Sequence, residues 1–172
     1  MVNYIKYKGN PIKLRILKNR KRDFFRINPY AILKLGRKRL IRKGIINKKQ
    51  VVPKDNPNHF VNDYFITHWA KTRFEDVDIH IGFTVTVKNV SKHATIRNLV
   101  KRRLKNAINE TIRDFRIFGY DFIFTARQNI LTAKYSDLVF QSKRVFKFIE
   151  HRIKETESEQ RKQKYLMKKY MD

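Results

Sequence analysis

The sequence predicts an α+β protein, a single small domain in which a central mixed β-sheet is packed by helices. Three patterns lead to this prediction. Residues 79–87 alternate apolar side chains with smaller or polar ones, residues 120–126 form a short apolar run, and residues 94–118 repeat apolar side chains at every fourth position. The first two patterns are typical of strands and the third of a helix between them, which together form a β-α-β unit. At 172 residues, 41% of them apolar, the chain has the length of one domain and enough apolar material for a core.

Proline and glycine punctuate the N-terminal half of the chain. Residues 12–28 mix apolar and basic side chains and predict a short helix that ends before Pro29. Residues 37–59 contain two prolines and a glycine among many Asn and Lys residues, so we expect a basic loop that is inserted into the domain. Residues 64–69 are dense in aromatic and β-branched side chains and predict a strand.

The C-terminal half follows a clear alternation of element types. The helix that begins at Ala94 carries an apolar stripe of Ile96, Val100, Leu104, Ile108 and Ile112, and Gly119 is expected to cap its C-terminus. After the strand at residues 120–126, residues 135–153 predict a last amphipathic helix.

We therefore expect three parts in the chain. Glu155, Glu157 and Glu159 stand among the seven Lys and Arg residues of positions 152–172, which is typical of a solvated helix with mixed charge. The expected parts are a basic N-terminal arm (residues 1–13), the α+β domain (14–153, with the basic insertion at about 37–59) and a charged C-terminal helical tail (154–172).

The positive charge is large and uneven. Lys and Arg number 41 against 15 Asp and Glu, a formal net charge of +26. Residues 1–50 hold 17 of the cations and one acid, residues 51–90 are slightly negative, and residues 91–119 are basic again with 8 cations and 2 acids. Because such an excess repels itself unless counter-charge is present, the chain is expected to bind a polyanion such as RNA or DNA.

The composition excludes several kinds of site. Without cysteine there is no disulfide, thiolate zinc site or cysteine nucleophile. The five histidines lack metal-ligand spacing and the five glycines are too far apart for a phosphate loop, so we expect no protein active site, no protein-held metal and no small-molecule substrate.

We expect no membrane-spanning or secretory segment in the chain. No apolar run approaches the ~20 residues of a membrane-spanning helix, and Lys6, Lys8 and Pro11 break the first apolar run, so we expect a soluble cytoplasmic protein without membrane contact. A mitochondrial transit peptide is the alternative interpretation of the acid-poor N-terminus. The lack of serine there and the sequence Gly9-Asn10-Pro11 disfavour it.

The start of the helix at Ala94 is the most informative segment. Five cations fall within residues 97–105 without an acid, and like charges spaced by four residues destabilise an isolated helix. Bound phosphates would neutralise them while the apolar stripe holds the core. A solvated helix face is the alternative interpretation.

In order and spacing, these motifs resemble the protein component of bacterial ribonuclease P. That family combines a G-[FL]-[ST]-V strand, an R-N-R helix followed by K-R-x-x-R, and a G-Y-D strand that ends in A-R. Here residues 82–86 supply the first strand, residues 97–105 supply the helix, and residues 119–127 supply the last strand. Residues 17–24 are similar to the family's N-terminal helix, so the resemblance covers roughly residues 14–150.

Two departures from the family pattern affect the basic helix. Leu99 stands where the family has the second Arg of R-N-R, so that contact is lost or supplied by Arg102 or Arg103. Lys105 replaces an Arg, which exchanges a two-pronged hydrogen-bond donor for a point charge.

The resemblance implies a protein subunit of ribonuclease P, whose RNA subunit performs the endonucleolytic removal of the 5′ leader that generates the mature tRNA 5′ end. Its partners would be the catalytic RNA and precursor tRNA, with Mg²⁺ held mainly by RNA and substrate. The residues implied to bind the catalytic RNA are Lys88, Lys92, Arg97, Asn98, Lys101, Arg102 and Lys105.

The resemblance also implies a cleft for the single-stranded 5′ leader. The aromatic side chains Phe24, Phe65 and Trp69 are the candidates, because exposed rings stack on bases without sequence preference. Their alternative role is in the core.

Two other functions remain open from the sequence. A structural RNA-binding protein of the ribosomal type would share the charge and the small α+β fold but would stimulate no cleavage. A DNA-binding helical module comes third, since the aromatic strands indicate a sheet.

Overall fold

The computed structural model describes residues 4–7, 10–17, 24, 26–28, 37–44, 58–73 and 78–171. The strands are β1 (Tyr4–Tyr7), β2 (Asn10–Ile16), β3 (His59–Val61), β4 (Phe65–Lys71), β5 (Ile79–Thr84) and β6 (Tyr120–Ala126). The helices are α1 (Arg37–Arg42), α2 (Ala94–Thr111) and α3 (Tyr135–Met171), and the short 3₁₀ helices are Ile112–Asp114 and Gln128–Leu131. Within the described part of the chain, no helix is both long and apolar enough to cross a membrane.

The six strands form one mixed sheet in the order β1-β2-β5-β6-β4-β3. Strand β5 pairs in parallel with both β2 and β6, whereas β4 pairs antiparallel with β6 and β3. Helix α2 lies in the chain between the adjacent parallel strands β5 and β6. The prediction of an α+β domain with the basic helix in a β-α-β unit is therefore confirmed.

Alternation along the strands gives the sheet two different faces. Helices α2 and α3 cover one face, on which Phe146 of α3 contacts Phe122 and Phe124 of β6, with ring centroids 6.2 and 6.0 Å apart. The opposite face carries His80, Asp121 and Ile123 from the intervening positions. The main core therefore lies between the sheet and these two helices.

The N-terminal segment differs from the prediction. Residues 12–16 belong to strand β2 and not to a helix, and residues 4–7 and 10–13, within the predicted arm, form a hairpin at the sheet edge. Ile12 is buried, and Asp78 binds the backbone N–H of Lys13 (2.9 Å) and the Arg15 guanidinium (2.5 Å). These long-range bonds favour the strand, while Phe24, Arg26 and Ile27 are helical as predicted.

Several predicted boundaries also move. Helix α2 ends at Thr111, where a 3₁₀ turn begins, so Gly119 is not its cap. With φ of 73°, Gly119 instead forms the turn into β6, and its carbonyl accepts a bond from the Thr72 N–H (2.9 Å). Strand β5 ends at Thr84 and not at residue 87. The predicted last helix (135–153) and the predicted helical tail (154–172) form one continuous helix, α3, which runs from Tyr135 to Met171. Within the predicted loop at 37–59, Arg37–Arg42 is helical.

Candidate RNA-binding surface

Helix α2 is held against the sheet by one side only. Its buried side chains are those of Val100, Leu104, Ala107, Ile108 and Thr111, which repeat at steps of three or four residues. The Thr111 hydroxyl donates to the Ala107 carbonyl (2.9 Å), which satisfies a polar group inside the core. Since this stripe fixes the rotation of the helix, the residues on the other side are presented to solvent.

The exposed side of α2 forms a basic face that consists of Asn98, Lys101, Arg102 and Lys105, all of them exposed. The steps between these residues of three and four positions place neighbouring charges one helical turn apart. Between Asp78 and Glu110 the chain has no acidic residue at all. Glu110, near the C-terminal end of α2, lies five residues beyond Lys105 and accepts a hydrogen bond from the Tyr135 hydroxyl (2.8 Å). The repulsion within the basic face is therefore not balanced by an acid one helical turn away, and a row of phosphates is the matching counter-charge.

Arg97 and Arg103 have protein partners. Arg97 Nη1 donates to the carbonyls of Ser91 (2.8 Å) and Lys92 (2.7 Å), in the loop that leads into the helix. Arg103 Nη2 donates to the Ala133 carbonyl (2.6 Å), at the approach to α3. Arg97 uses one of its nitrogens in this way and keeps other N–H donors for a phosphate. Of the two substitutes considered for the arginine missing at Leu99, Arg102 is the exposed one.

The loop before α2 presents Lys88 and Lys92, both exposed. A turn closed by the Val90 N–H and the Thr86 carbonyl (3.1 Å) shapes this loop, and the Asn89 N–H bonds to the Thr86 hydroxyl (3.2 Å). The loop is thus joined to the helix through Arg97. The structure brings all seven predicted RNA-binding residues together on α2 and the loop before it.

Two of the three aromatic residues predicted for the leader cleft lie in the core. Phe65 is 0% and Trp69 2% exposed. Their rings lie edge-on to those of Phe124 (centroids 5.8 Å apart) and Phe148 (6.2 Å apart), on the sheet face that the helices cover. Since a base needs an exposed ring for stacking, the assignment of Phe65 and Trp69 to the cleft is wrong in this structure. Phe24 is half-buried on the N-terminal helical segment.

A polar cluster on the opposite sheet face was missed by sequence reasoning. The Asp121 carboxylate, 0% exposed, pairs with the Arg26 guanidinium and lies 3.0 Å from His80 Nδ1. Arg26 Nη1 also donates to the Lys71 carbonyl (2.9 Å), which ties the N-terminal helical segment to β4. The sequence did contain a signal for this cluster. His80 and Asp121 each lie between apolar neighbours in their strands, so each is on the face opposite to those neighbours.

The surroundings of Asp121 favour its charged form. Burial by itself raises the pKa of this carboxyl, but hydrogen bonds with His80 and Thr72 and the charge of Arg26 outweigh burial and lower the pKa below the ordinary 3.8. The cluster is therefore an ion-paired anchor for the segment that carries Phe24.

The described residues contain no group of three or more His, Asp or Glu that could hold a metal ion. The cations of α2 repel a metal and attract phosphate, so the chemistry of this surface is that of binding a polyanion.

The solved structures that are similar to this chain include two RNase P proteins. The RNase P protein of Staphylococcus aureus is 20% identical, with a TM-score of 0.45, and the match covers 54% of this chain and 81% of that one. The RNase P protein of Thermotoga maritima is also 20% identical, with a TM-score of 0.46, and the match covers 54% of this chain and 84% of that one.

The comparison with protein families is more specific than these structural likenesses. The model of the Ribonuclease P family matches residues 49–150, which include β4, β5, the whole of α2 and β6. The match covers more than half of the chain and contains every residue of the basic face. The chain therefore belongs to the ribonuclease P family.

Proposed function

We propose that this chain serves ribonuclease P by binding the catalytic RNA and the 5′ leader of precursor tRNA, while the RNA performs the hydrolysis. The observation that carries the proposal is the basic face of α2. A helix that is held by its apolar side presents Asn98, Lys101, Arg102 and Lys105 without an acid to pair with them. Phosphate contacts of this kind supply most of the affinity of a basic protein for RNA.

In this proposal the RNA backbone lies along the basic face and the loop before it. Lys101, Arg102 and Lys105 neutralise phosphates, and Asn98 offers both a donor and an acceptor to sugar hydroxyls. Lys88 and Lys92 extend the contact at the N-terminal end of α2. Arg97 contributes through its free donors and by holding the loop against the helix.

We place the leader between the N-terminal helical segment and the sheet face opposite to α2 and α3. On that face Ile66 of β4, Thr125 of β6 and Thr84 of β5 lie side by side, and all three are partly exposed. The Arg26–Asp121 pair fixes the helical segment nearby, with Phe24 two residues before Arg26. Phe24, which is half-buried, is the ring that we assign to stacking on a leader base, next to this partly exposed row.

In this proposal Mg²⁺ is bound mainly by the RNA subunit and the substrate. Because this cation prefers near-octahedral oxygen ligands and dehydrates reluctantly, phosphates and water suit it. The described residues provide no cluster of carboxylates for it.

The test of the proposed function is multiple-turnover cleavage of a 5′-extended precursor tRNA by the cognate catalytic RNA in low Mg²⁺, with and without the protein. We expect stimulation that yields the mature 5′ end and that declines as salt is raised, because phosphate contacts weaken steeply with salt. Tight, salt-sensitive RNA binding without stimulation would contradict the proposal and favour a structural RNA-binding protein.

Substitution of Phe24 by alanine tests the leader contact. One lost base stack costs about 1–3 kcal/mol, so we expect KM for a precursor with a long leader to rise roughly 5- to 150-fold. KM for a precursor with a one-nucleotide leader should stay nearly unchanged. The matched control is Phe140→Ala, which removes a ring that is 60% exposed on α3, behind the sheet. Equal effects of Phe24→Ala on both precursors would rule out the stacking role.

A further inference from the structure

Helix α3 continues far beyond the body of the protein. Among the side chains of α3 that the structure describes, the last buried one is Ile153, and every side chain from Lys154 to Lys168 is exposed. At 1.5 Å per residue, the part of the helix after Ile153 is about 27 Å long. It also lies beyond residue 150, where the match to the ribonuclease P family ends. The role proposed for the basic face of α2 therefore gives the C-terminal extension no function.

The first part of the extension balances its own charge. Lys154 pairs with Glu150 (3.4 Å), and both His151 and Arg152 approach Glu155 at 3.5 Å. The Lys154–Glu150 and Arg152–Glu155 ion pairs are four and three residues apart, so each supports an exposed helix by a few tenths of a kcal/mol. The predicted solvated helix of mixed charge describes this part well.

The last part of the extension is different. Residues 161–171 contain five Lys or Arg and no acid. The spacing of three and four residues places Arg161, Lys164, Tyr165 and Lys168 on one side of the helix, which we name the distal basic face. All four are exposed, and Tyr165 is 70% exposed. Lys164 and Lys168 are like charges one turn apart, which disfavours the isolated helix and favours a bound anion.

We propose that the distal basic face is a second RNA-binding surface, which contacts the sugar–phosphate backbone of the RNA subunit. The proposal deepens the proposed function and rests on it for the identity of the RNA. A row of three cations with an exposed aromatic ring among them combines the two kinds of contact that proteins use on RNA, ion pairing and stacking. An acidic protein surface would use the cations but would leave the ring without a role.

An anionic membrane is the competing partner. Leu166 and Met167 are exposed on the other side of the helix, so the segment is amphipathic. Two apolar side chains are few for insertion into lipid, and the same chain already presents an RNA-binding face on α2. The observations therefore favour RNA, and lipid binding becomes an outcome of the test.

The two basic surfaces lie far apart. Near the start of α3, Tyr135 bonds to Glu110 of α2 (2.8 Å), and further along Glu150 accepts from the Arg116 N–H (3.0 Å). Helix α3 thus leaves the body beyond the C-terminal end of α2, away from the basic face. The helix from Tyr135 to Lys168 is about 50 Å long. When one large RNA reaches both surfaces, its second contact forms within the same complex, which raises the overall affinity. A short RNA reaches only one surface and lacks this increase.

The test compares two triple variants of the full chain. The distal triple is Arg161→Ala, Lys164→Ala and Lys168→Ala. The control triple is Lys143→Ala, Arg144→Ala and Lys147→Ala, which removes the same charge from exposed positions of the same helix beside the body. Alanine favours helix, so both variants should keep their circular dichroism.

The measurement is the affinity for the RNA subunit over a salt series. We expect the distal triple to weaken binding about tenfold near 0.15 M salt. The negative slope of log K against log salt should become shallower by about 2–3 units, since each lost phosphate contact removes about 0.9. The control triple should weaken binding by less than about twofold. A short RNA duplex should bind the unmodified chain and the two triple variants with affinities that differ less than those for the RNA subunit.

Three results would overturn the inference. Equal affinities of the two triples would show that only net charge matters. A raised KM for precursor tRNA with unchanged affinity for the RNA subunit would make the substrate the partner. Loss of binding to phosphatidylserine vesicles in the distal triple alone, with RNA affinity unchanged, would identify a membrane contact. Failure of the unmodified chain to stimulate cleavage would instead contradict the proposed function.

Discussion

Replacing Asp121 by alanine is expected to lower the free energy of unfolding by about 3 kcal/mol, the lower end of the cost of breaking a buried ion pair. The carboxylate is fully buried, and without it Arg26 and His80 lose their shared partner. Arg26 is 26% exposed and regains some hydration, which keeps the loss at this lower end. Urea titration of the variant measures the loss directly.

Two further variants test this explanation. Asp121→Asn keeps the shape and one acceptor oxygen, so it should cost less than Asp121→Ala. Asp114→Ala removes an exposed carboxylate near the end of α2 and should change stability by less than about 0.5 kcal/mol. If Asp121→Ala were as stable as Asp114→Ala, the cluster would not anchor the N-terminal helical segment.

The same cluster predicts the sign of the pH dependence. The pKa of Asp121 is lower in the folded protein than its ordinary 3.8. The folded state therefore binds the proton less readily than the unfolded state, and the stability that this group contributes is present above about pH 4 and is lost as pH falls through the folded pKa. Asp78, whose pKa is also lowered because its bonds to Arg15 and Lys13 outweigh burial, contributes in the same direction. The acid-induced loss should shrink in Asp121→Asn.

The second large effect is expected on RNA affinity. The variant Lys101→Ala, Arg102→Ala and Lys105→Ala should weaken binding to the catalytic RNA roughly 100-fold near 0.15 M salt, at about 1 kcal/mol for each lost contact. The negative slope of log K against log salt should become shallower by about 3 units. Arg97 is left intact because its bonds to Ser91 and Lys92 also shape the loop. Filter binding with the RNA subunit over a salt series measures both quantities.

The control triple on α3 separates position from charge. It removes the same charge from the helix behind the sheet and should leave the affinity within about twofold. Circular dichroism of the α2 variant should be unchanged, because the buried stripe of α2 is untouched. Loss of helix content would instead make the basic face structural.

Much of the candidate RNA-binding surface was predictable because helix periodicity is local. The spacing of Val100, Leu104 and Ile108 sets which side of α2 is buried, and the cations then occupy the other side by geometry alone. Strand β6 was predicted with its observed bounds for the same reason, as its apolar run is short and continuous. Strand β2 was not predicted, because its apolar and basic side chains fit both a helix and an edge strand. Only its pairing with β5 selects the strand.

The sequence by itself determined the α+β class, the β-α-β unit and the cations of the basic face, since these depend on spacing within one element. Only the tertiary structure decided which sheet face the helices cover, and this placed Phe65 and Trp69 in the core. It also brought Arg26, His80 and Asp121 together and gave Arg97 its carbonyl partners. The physical reason is that a period of two distinguishes the two faces of a strand but does not say which one is buried, which depends on contacts between segments far apart in the chain.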